Sequence, residues 1–349
     1  MGRLVSSPLC AAVYPLAVQG DYVIKQFRFT SGELLPELRI HYRTLGKPER
    51  DAQGRVRNAV LVLHGTSGNG GNGGNLIRPE FAGELFGSGQ LLDATRFFIV
   101  LPDGIGHGNS SKPSDGLRAR FPRYGYLDMV EAQYLLLTQG LGVNHARLVM
   151  GTSMGGMQTW LWGERHPDFV DALMPLASLP TQMSGRNRAW RKMVSDAIRN
   201  DPAWQGGHYS SQPPSLRTAI EMIWLMGSNP VLRQQESPTL AAADRTLETY
   251  VAENLPRSDA NDILYQVEAS HDYDPGPDLE KIRAPLFAVN SADDLINPPE
   301  LGILEREIKR VPHGRAVVIP ASEHTRGHGS HTIALLWSQY LQELLQSSE

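Results

Sequence analysis

The sequence predicts an α/β protein in which a mostly parallel central sheet is flanked by helices and carries an inserted helical cap. Three observations predict this fold class. Continuous apolar runs, typical of strands buried on both faces, recur along the chain. Helix-compatible segments alternate with these runs, as parallel sheets require. A long segment without β-branched runs then interrupts the alternation, which indicates an insertion.

The apolar runs are assigned to five buried strands. They comprise residues 59–63, 97–101, 147–150, 285–289 and 316–319. Before the first run, residues 21–45 alternate apolar and polar side chains, which predicts antiparallel strands at the start of the sheet. Right-handed crossovers bring the loops at the carboxyl ends of parallel strands together, and α/β sheets bind ligands at that edge.

The helical pattern divides the chain into three parts. Residues 126–141 and 155–166 have helical spacing, and so does a closing segment, residues 332–345. Four further helical pieces lie in the interrupting segment, at residues 189–200, 216–227, 240–254 and 261–270. We therefore predict a first core part (residues 1–178), a helical cap that roofs the active site (residues 179–277) and a second core part (residues 278–349) that carries a catalytic Asp and His.

Composition excludes several classes of function. The chain has 33 basic and 37 acidic residues and a net charge of -4, which gives no basic field for nucleic acid and no polybasic membrane anchor. Its single cysteine, Cys10, excludes an internal disulfide, and no Cys/His spacing is typical of zinc sites. No apolar run is long enough to span a membrane. We expect a small-molecule substrate, with no cofactor and no metal.

The N-terminal segment bears on localisation. Residues 1–18 contain a short apolar patch around Leu9 to Val13, which Pro8 and Pro15 interrupt. Such a patch is weak support for a signal peptide. A cytoplasmic location is therefore the default expectation, and a remnant of an export signal is the alternative.

The strongest chemical motif is the segment Met150 to Gly156, which reads Met-Gly-Thr-Ser-Met-Gly-Gly between a predicted strand and a predicted helix. A serine hydroxyl is a poor nucleophile unless a base takes its proton and the group is held exposed. A strained turn between strand and helix exposes it, and only small residues fit beside it, here Gly151 and Gly155. Ser153 is therefore the predicted nucleophile, and the following helix directs its positive dipole end toward developing negative charge.

The acid and the base of a triad should follow the serine in that chain order. Two adjacent carboxylates, Asp293 and Asp294, follow the apolar run that ends at residue 289. A carboxylate just past a strand accepts a hydrogen bond from the imidazole and fixes its tautomer. We favour Asp294 because the acid in this fold usually lies four residues before a proline, here Pro298. Asp293 is the alternative.

Three histidines follow the last predicted strand, and His328 is the predicted base. It has glycines on both sides, which lets a loop bring its ring close to Ser153. His324 and His331 are interpreted as surface residues or as neighbours of the base. His271, within the predicted cap, is interpreted as solvated or structural.

Acyl chemistry also needs two backbone N–H groups that bind the tetrahedral oxyanion. The residue after the nucleophile, Met154, is predicted to supply one. The loop after the first buried strand is predicted to supply the other, from Thr66. His64, which begins this loop, is interpreted as its support. The glycine-rich run that follows, residues 68–74, lacks a P-loop Lys-Ser/Thr, so nucleotide binding is rejected in favour of a mobile loop.

Several segments carry a family resemblance. Residues 151–158 read Gly-Thr-Ser-Met-Gly-Gly-Met-Gln, and residues 201–209 read Asp-Pro-Ala-Trp-Gln-Gly-Gly-His-Tyr. Together with residues 58–62, 128–133, 167–169, 294–296 and 327–329, they resemble the homoserine O-acetyltransferase-like branch of the α/β-hydrolases. The resemblance implies the α/β-hydrolase fold, a helical lid and a Ser-Asp-His triad at Ser153, Asp294 and His328. It also implies a homodimer through the cap.

The chain departs from true homoserine acetyltransferases in the cap. Those enzymes carry Gly-Leu-x-x-Ala-Arg-Met, whose arginine anchors the substrate carboxylate. Here residues 215–222 read Ser-Leu-Arg-Thr-Ala-Ile-Glu-Met, so apolar or acidic groups replace that arginine. Glu221 is expected to repel an amino acid's carboxylate. Homoserine is therefore not the expected acceptor.

Three functions compete. The favoured one is a serine ester hydrolase, in which water releases the acyl group from Ser153. The second is an acyltransferase that moves an acyl group from acyl-CoA to an alcohol other than homoserine. The two share the triad and differ only in the acceptor. The third is a non-catalytic binding protein on a hydrolase fold.

Overall fold

The computed structural model describes residues 14–71 and 76–348. Its centre is an eight-stranded sheet in the order β1-β2-β4-β3-β5-β6-β7-β8. The strands are Val18–Arg28 (β1), Leu34–Leu45 (β2), Ala59–Leu63 (β3), Phe98–Pro102 (β4), Leu148–Thr152 (β5), Leu173–Leu176 (β6), Leu286–Ser291 (β7) and Gly314–Ile319 (β8).

The sheet is mostly parallel. The pairs β1–β2 and β2–β4 are antiparallel. All pairs from β4 across to β8 are parallel. Every residue of β3, β4 and β5 is buried, because helices cover both faces of a parallel sheet. The predicted fold class and the predicted antiparallel start are therefore confirmed.

Ten α-helices occur in the described part of the chain. They are Ala82–Leu85 (α1), Tyr126–Leu135 (α2), Met154–Arg165 (α3), Gly185–Arg199 (α4), Ser215–Gly227 (α5), Pro230–Glu236 (α6), Leu240–Asn254 (α7), Ala260–Glu268 (α8), Ile303–Glu307 (α9) and Ser338–Ser347 (α10). Apolar side chains of α2 and α3 pack on one face of the sheet. Those of α1 and α10 pack on the other. This burial stabilises the layered core.

The chain between β6 and β7 is helical and contains α4 to α8. These helices bury an apolar cluster of their own, in which Trp190, Val194 and Ile198 of α4 lie four residues apart. Because β6 and β7 are hydrogen-bonded neighbours, the helical segment leaves the sheet and returns to the adjacent position. The domain limits at residues 178 and 277 remain predictions.

Some elements differ from the sequence expectation. Strand β6 was not predicted, because Leu-Met-Pro-Leu has no β-branched residue and contains Pro175. Helix α2 stops at Leu135, and a π-helical turn, Leu136–Gly140, replaces the rest of the predicted helix. The closing helix begins at Ser338, later than predicted, because short 3₁₀ turns occupy most of residues 327–336.

Two further predictions concern membrane-spanning helices and localisation. No helix among residues 14–71 and 76–348 has the length and apolar character needed to cross a membrane. The apolar patch around Leu9 to Val13 lies outside the described residues, as do residues 72–74 of the glycine-rich run. The cytoplasmic location remains a prediction.

Candidate active site

Ser153 lies in a strained turn between β5 and α3. Its φ of 54° and ψ of -110° are unfavourable for a residue with a side chain. The flanking glycines make the turn sterically possible. A Cβ atom on Gly151 would lie 2.2 Å from the carbonyl oxygen of Gly155, and one on Gly155 would lie 2.3 Å from that of Leu63. The sequence therefore forms the strand–turn–helix geometry that exposes a serine hydroxyl.

The structure brings Ser153, His328 and Asp294 together. The hydroxyl of Ser153 donates to His328 Nε2 at 2.8 Å. The Nδ1 of His328 in turn donates to Asp294 Oδ2 at 2.8 Å. The three residues follow β5, β8 and β7, whose carboxyl ends meet at one edge of the sheet. The imidazole is thus held with its free nitrogen toward the hydroxyl, as proton abstraction requires.

Asp294 is buried, and its carboxylate is fully engaged. Its Oδ1 accepts from the backbone N–H of Ile296 at 2.7 Å, and its Oδ2 accepts from Asn297 Nδ2 at 3.2 Å as well as from His328. Burial alone would raise the pKa of Asp294, but the charge of His328 and these hydrogen bonds outweigh burial and lower the pKa. The carboxylate of Asp294 is therefore ionised at neutral pH, where it accepts the hydrogen bond from His328.

Asp293 has different neighbours. Its Oδ2 accepts from Asn229 Nδ2 at 2.6 Å, from Thr325 Oγ1 at 2.9 Å and from the backbone N–H of Gly327 at 2.9 Å. Asp293 therefore ties the loop that carries His328 to the start of α6. Of the two carboxylates that the sequence left open, Asp294 is the one in contact with the imidazole.

The other three histidines considered in the sequence analysis occupy two kinds of position. His331 packs edge-on against His328, with ring centroids 5.2 Å apart. Burial, reinforced by the charge of His328, lowers the pKa of His331 to about 3, so its ring is neutral at neutral pH. His324 and His271 are exposed. These positions agree with the interpretation of His331 as a neighbour of the base and of His324 as a surface residue.

The predicted oxyanion groups lie beside the nucleophile. Met154 is the first residue of α3, so its backbone N–H has no carbonyl partner within the helix. The loop after β3 passes close to the serine, since a Cβ atom on Gly65 would lie 3.4 Å from Cβ of Ser153. Thr66 lines the same cavity as Ser153. Both predicted donors are therefore adjacent to the hydroxyl.

Two buried histidines support this loop. The Nδ1 of His64 donates to the carbonyl of Gly65 at 2.8 Å, and its Nε2 accepts from the backbone N–H of Gly104 at 2.9 Å. His107 Nε2 lies 2.9 Å from the carbonyl oxygen of Thr66. Burial lowers the pKa of His64. Burial, with the charge of His64, lowers the pKa of His107 to about 3. Two buried rings thus support the backbone that positions Thr66, a role that sequence analysis assigned to His64 and missed for His107.

A cavity of about 180 Å³ opens above the triad. Its lower wall comes from the core and includes Thr66, Ser153 and His328. Its upper wall comes from the helical segment and includes Trp190, Arg191, Ile223 and Met226. A substrate at Ser153 is therefore enclosed by both parts of the chain.

The expectation for Glu221 was wrong. Glu221 is not among the residues that line the cavity. Its carboxylate instead accepts from Arg217 Nε at 2.8 Å, one helical turn away. The arginine that does line the cavity is Arg191, on α4. Sequence analysis did not single it out, although an arginine beside the apolar stripe of an amphipathic helix was a usable signal.

Metal ligands are not clustered in the part of the chain that the structure describes. Among those residues, no group of three or more His, Cys, Asp or Glu side chains is arranged to hold a metal ion.

Comparison with known proteins identifies the class. The family model for the alpha/beta hydrolase fold matches residues 58–325, which include Ser153 and Asp294 and end three residues before His328. The chain belongs to the α/β-hydrolase family. Within it, a probable acyltransferase of Methanothermobacter thermautotrophicus is 32% identical over 282 residues, covering 80% of this chain and 84% of the relative. A homoserine O-acetyltransferase of Trichormus variabilis is 31% identical over 304 residues, covering 78% and 79%. This places the chain in the homoserine O-acetyltransferase-like branch.

Solved structures share the fold. Esterase E22 superimposes with a TM-score of 0.81 at 20% identity, covering 95% of this chain and 100% of its own. A homoserine O-acetyltransferase from Bacillus anthracis has a TM-score of 0.82 at 20% identity, covering 95% and 98%. An acetylester hydrolase from Corynebacterium glutamicum has a TM-score of 0.78 at 22% identity, covering 94% and 96%. The fold alone is therefore common to enzymes that bear both hydrolase and transferase names.

Proposed function

We propose that this protein is a serine-dependent hydrolase of carboxylic esters that carry a short acyl group. The observation that carries the proposal is the continuous chain of hydrogen bonds from Ser153 through His328 to Asp294, with both distances at 2.8 Å. The strained φ of Ser153 supports it, since such strain persists where the site requires it.

In the proposed first half-reaction, Ser153 Oγ attacks the ester carbonyl carbon while His328 Nε2 takes the hydroxyl proton. The carbonyl oxygen becomes an oxyanion that accepts hydrogen bonds from the backbone N–H groups of Thr66 and Met154. Asp294 stabilises the imidazolium that forms. The ester C–O bond then breaks, and the leaving alkoxide takes the proton from His328, which releases an alcohol and leaves an acyl-enzyme.

In the second half-reaction, water replaces the alcohol. His328 takes a proton from this water as its oxygen attacks the acyl carbon, and the same oxyanion donors bind the second tetrahedral intermediate. The bond to Ser153 Oγ breaks, and His328 returns the proton to the serine. The carboxylic acid leaves, and the free enzyme is restored.

The alternative is acyl transfer from acyl-CoA to an alcohol, because the 32% and 31% identical relatives are named as transferases. Two points favour hydrolysis. The cap arginine of homoserine O-acetyltransferases has no counterpart on α5, where Arg217 pairs with Glu221 and Glu248 instead of lining the cavity. Hydrolysis also needs no acceptor other than water.

The two functions are separated by the dependence of turnover on an acceptor. We expect the purified protein to release p-nitrophenol from p-nitrophenyl acetate without any added alcohol. We also expect acetyl-CoA to be consumed no faster with homoserine, serine or glycerol than without them. Thiol release with Ellman's reagent measures the second reaction. Acetyl-CoA consumption that requires an alcohol would replace the hydrolase proposal with the transferase.

The cavity volume leads to a prediction about acyl length. At about 180 Å³ the cavity is smaller than the roughly 300–1,000 Å³ that is usual for drug-sized ligands. We expect kcat/KM for p-nitrophenyl esters to fall at least about tenfold from acetate to octanoate, because added methylene groups find no space to bury. Met226→Ala enlarges the cavity wall and should reduce this preference, whereas Met193→Ala, at an exposed position of the same helical segment, should not. Faster turnover of octanoate by the native enzyme would contradict the small cavity.

Two structural proposals accompany the function. We assign residues 179–277 as a cap over the site, supported by their separate apolar cluster and by their contribution to the cavity. We also retain the proposal that two copies pair through this cap. Its helices expose the large apolar side chains of Leu225, Val231 and Leu240.

A further inference from the structure

The cavity above the triad contains a buried cation that has no anionic partner. Arg191, on α4, lines the cavity and is only 2% exposed. It makes no ion pair with a carboxylate among residues 14–71 and 76–348, and its Nη1 has no hydrogen-bond partner there. An unpaired buried charge is costly, so such a group is usually paired or bound to a ligand.

The surroundings of Arg191 do not neutralise it. Its Nε lies 3.4 Å from Asn187 Oδ1, and its guanidinium stacks 4.6 Å from the centre of the Trp190 ring. Arg188, on the same helix, also carries a positive charge. Burial lowers the pKa of Arg191. An arginine nevertheless stays protonated in proteins, so the positive charge remains in the cavity.

Two hydroxyl groups near Arg191 also have unused hydrogen-bonding capacity. Neither Thr66 Oγ1 nor the Tyr126 hydroxyl makes a well-formed hydrogen bond among the described residues. Tyr126 is fully buried, and its hydroxyl lies close enough to Thr66 and Arg191 to interact weakly with both, which opposes the rise that burial causes in the tyrosine's pKa. Thr66 and Arg191 line the cavity, whereas Tyr126 does not.

We propose that Arg191, with the hydroxyl of Thr66, forms a binding site for a carboxylate of the substrate, and that the Tyr126 hydroxyl supports these two groups. The proposal rests on the ester hydrolase function for the identity of the reacting bond and adds the class of substrate, an ester that bears a free carboxylate. One guanidinium matches a single negative charge and donates to both carboxylate oxygens, and the Thr66 hydroxyl donates one further hydrogen bond. The arginine comes from α4, and not from α5 as in the homoserine O-acetyltransferases.

This site would orient the substrate. Ser153 and Arg191 line one cavity, so a carboxylate bound by the guanidinium holds the ester carbonyl near the hydroxyl. Neutral esters lack this anchor. The desolvation penalty of Arg191 is already present in the free protein, where the side chain is 2% exposed, and only an anionic ligand offsets it. Specificity for acidic esters then arises from the attraction between the guanidinium and the carboxylate.

Binding without turnover tests the site independently of hydrolysis. The Ser153→Ala protein is titrated with succinate, and with neutral succinamide, by isothermal calorimetry. We expect succinate to bind, succinamide not to bind, and Arg191→Met in the same background to weaken succinate at least about tenfold. The control Arg188→Met removes an exposed arginine of the same helix and should keep the affinity. Arg191→Lys, which keeps the charge, should give an intermediate affinity, and it serves as the test if Arg191→Met does not fold. Succinate binding that is equal with and without Arg191 would overturn the proposal.

Turnover locates the carboxylate in the substrate. Monoethyl succinate carries it in the acyl part and O-acetylglycolate in the alcohol part, and diethyl succinate and methyl O-acetylglycolate are their neutral counterparts. We expect one acidic ester to exceed its counterpart at least about tenfold in kcat/KM, a ratio that Arg191→Met removes and Arg188→Met keeps. Equal rates for both pairs would refute the substrate class. Arg191-dependent succinate binding without turnover of any ester would retain the site and reject the hydrolase.

Discussion

Ser153→Ala is expected to lower kcat for ester hydrolysis by about 10⁶-fold. The hydroxyl is the group that would form the acyl-enzyme, and the 2.8 Å hydrogen bond to His328 Nε2 has no function without it. The release of p-nitrophenol from p-nitrophenyl acetate measures the loss. A variant that keeps more than about a tenth of the native rate would show that another group is the nucleophile.

Covalent labelling provides a second readout of the same substitution. A fluorophosphonate probe should label the native protein and leave the Ser153→Ala variant unlabelled, because the probe reacts with activated serines. Ser210→Ala, an exposed serine of the helical segment, is the matched control and should label normally. A native protein that does not label would favour the third function, a binding protein on a hydrolase fold.

Asp294→Asn is expected to lower kcat by about 10⁴-fold. The amide fits the space, but its NH₂ group faces His328 Nδ1 and favours the wrong tautomer of the ring. The base would then present an N–H to Ser153 where it must accept a proton. Because the substitution leaves the cavity walls unchanged, we expect KM to change much less than kcat. Initial rates across a range of ester concentrations separate the two parameters.

Asp293→Asn is the matched control for this substitution, and it also tests the choice between the adjacent carboxylates. Asp293 contacts Asn229 and Gly327 and does not contact His328, so its loss should cost far less than that of Asp294. Equal losses for the two variants would mean that loop position, rather than the tautomer of His328, dominates the effect.

The lowered pKa of Asp294 adds an effect on stability. A carboxylate whose folded pKa lies below its unfolded value, near about 3.9, stabilises the fold above that value and loses this contribution as the pH falls through the folded pKa. The native protein should therefore lose stability relative to Asp294→Asn as the pH drops below about 4. Urea unfolding of both proteins between about pH 3 and pH 7 measures the difference. A constant difference across this range would contradict the lowered pKa.

The sequence predicted the positions of Ser153, Asp294 and His328 well because each follows an apolar run, and parallel strands bring the ends of such runs to one edge of the sheet. The preference for Asp294 over Asp293 depended on a proline four residues later. Only the coordinates show why the two side chains differ: one faces the imidazole, and the other faces the backbone of Gly327.

Features that depend on contacts between distant segments could not be predicted in this way. His107 supports Thr66 across 41 residues of sequence, a contact that no local pattern around either residue indicates. Arg191 lies beside the apolar stripe of α4, and a pattern of spacing cannot tell whether a charge there is paired. Strand β6 is held by β5 and β7 on both sides, so its position in the sheet overrides its weak strand propensity.

The bond between Asn229 and Asp293 has a consequence for protein engineering. The carboxylate of Asp293 joins Asn229, which directly precedes α6, to the backbone N–H of Gly327, next to His328. The helical segment above the cavity and the loop that carries His328 are therefore linked by hydrogen bonds. Chimeric proteins that exchange residues 179–277 with those of a relative, in order to alter substrate choice, need to preserve the hydrogen bond between Asn229 and Asp293. Without it, a new specificity would be accompanied by a displaced base.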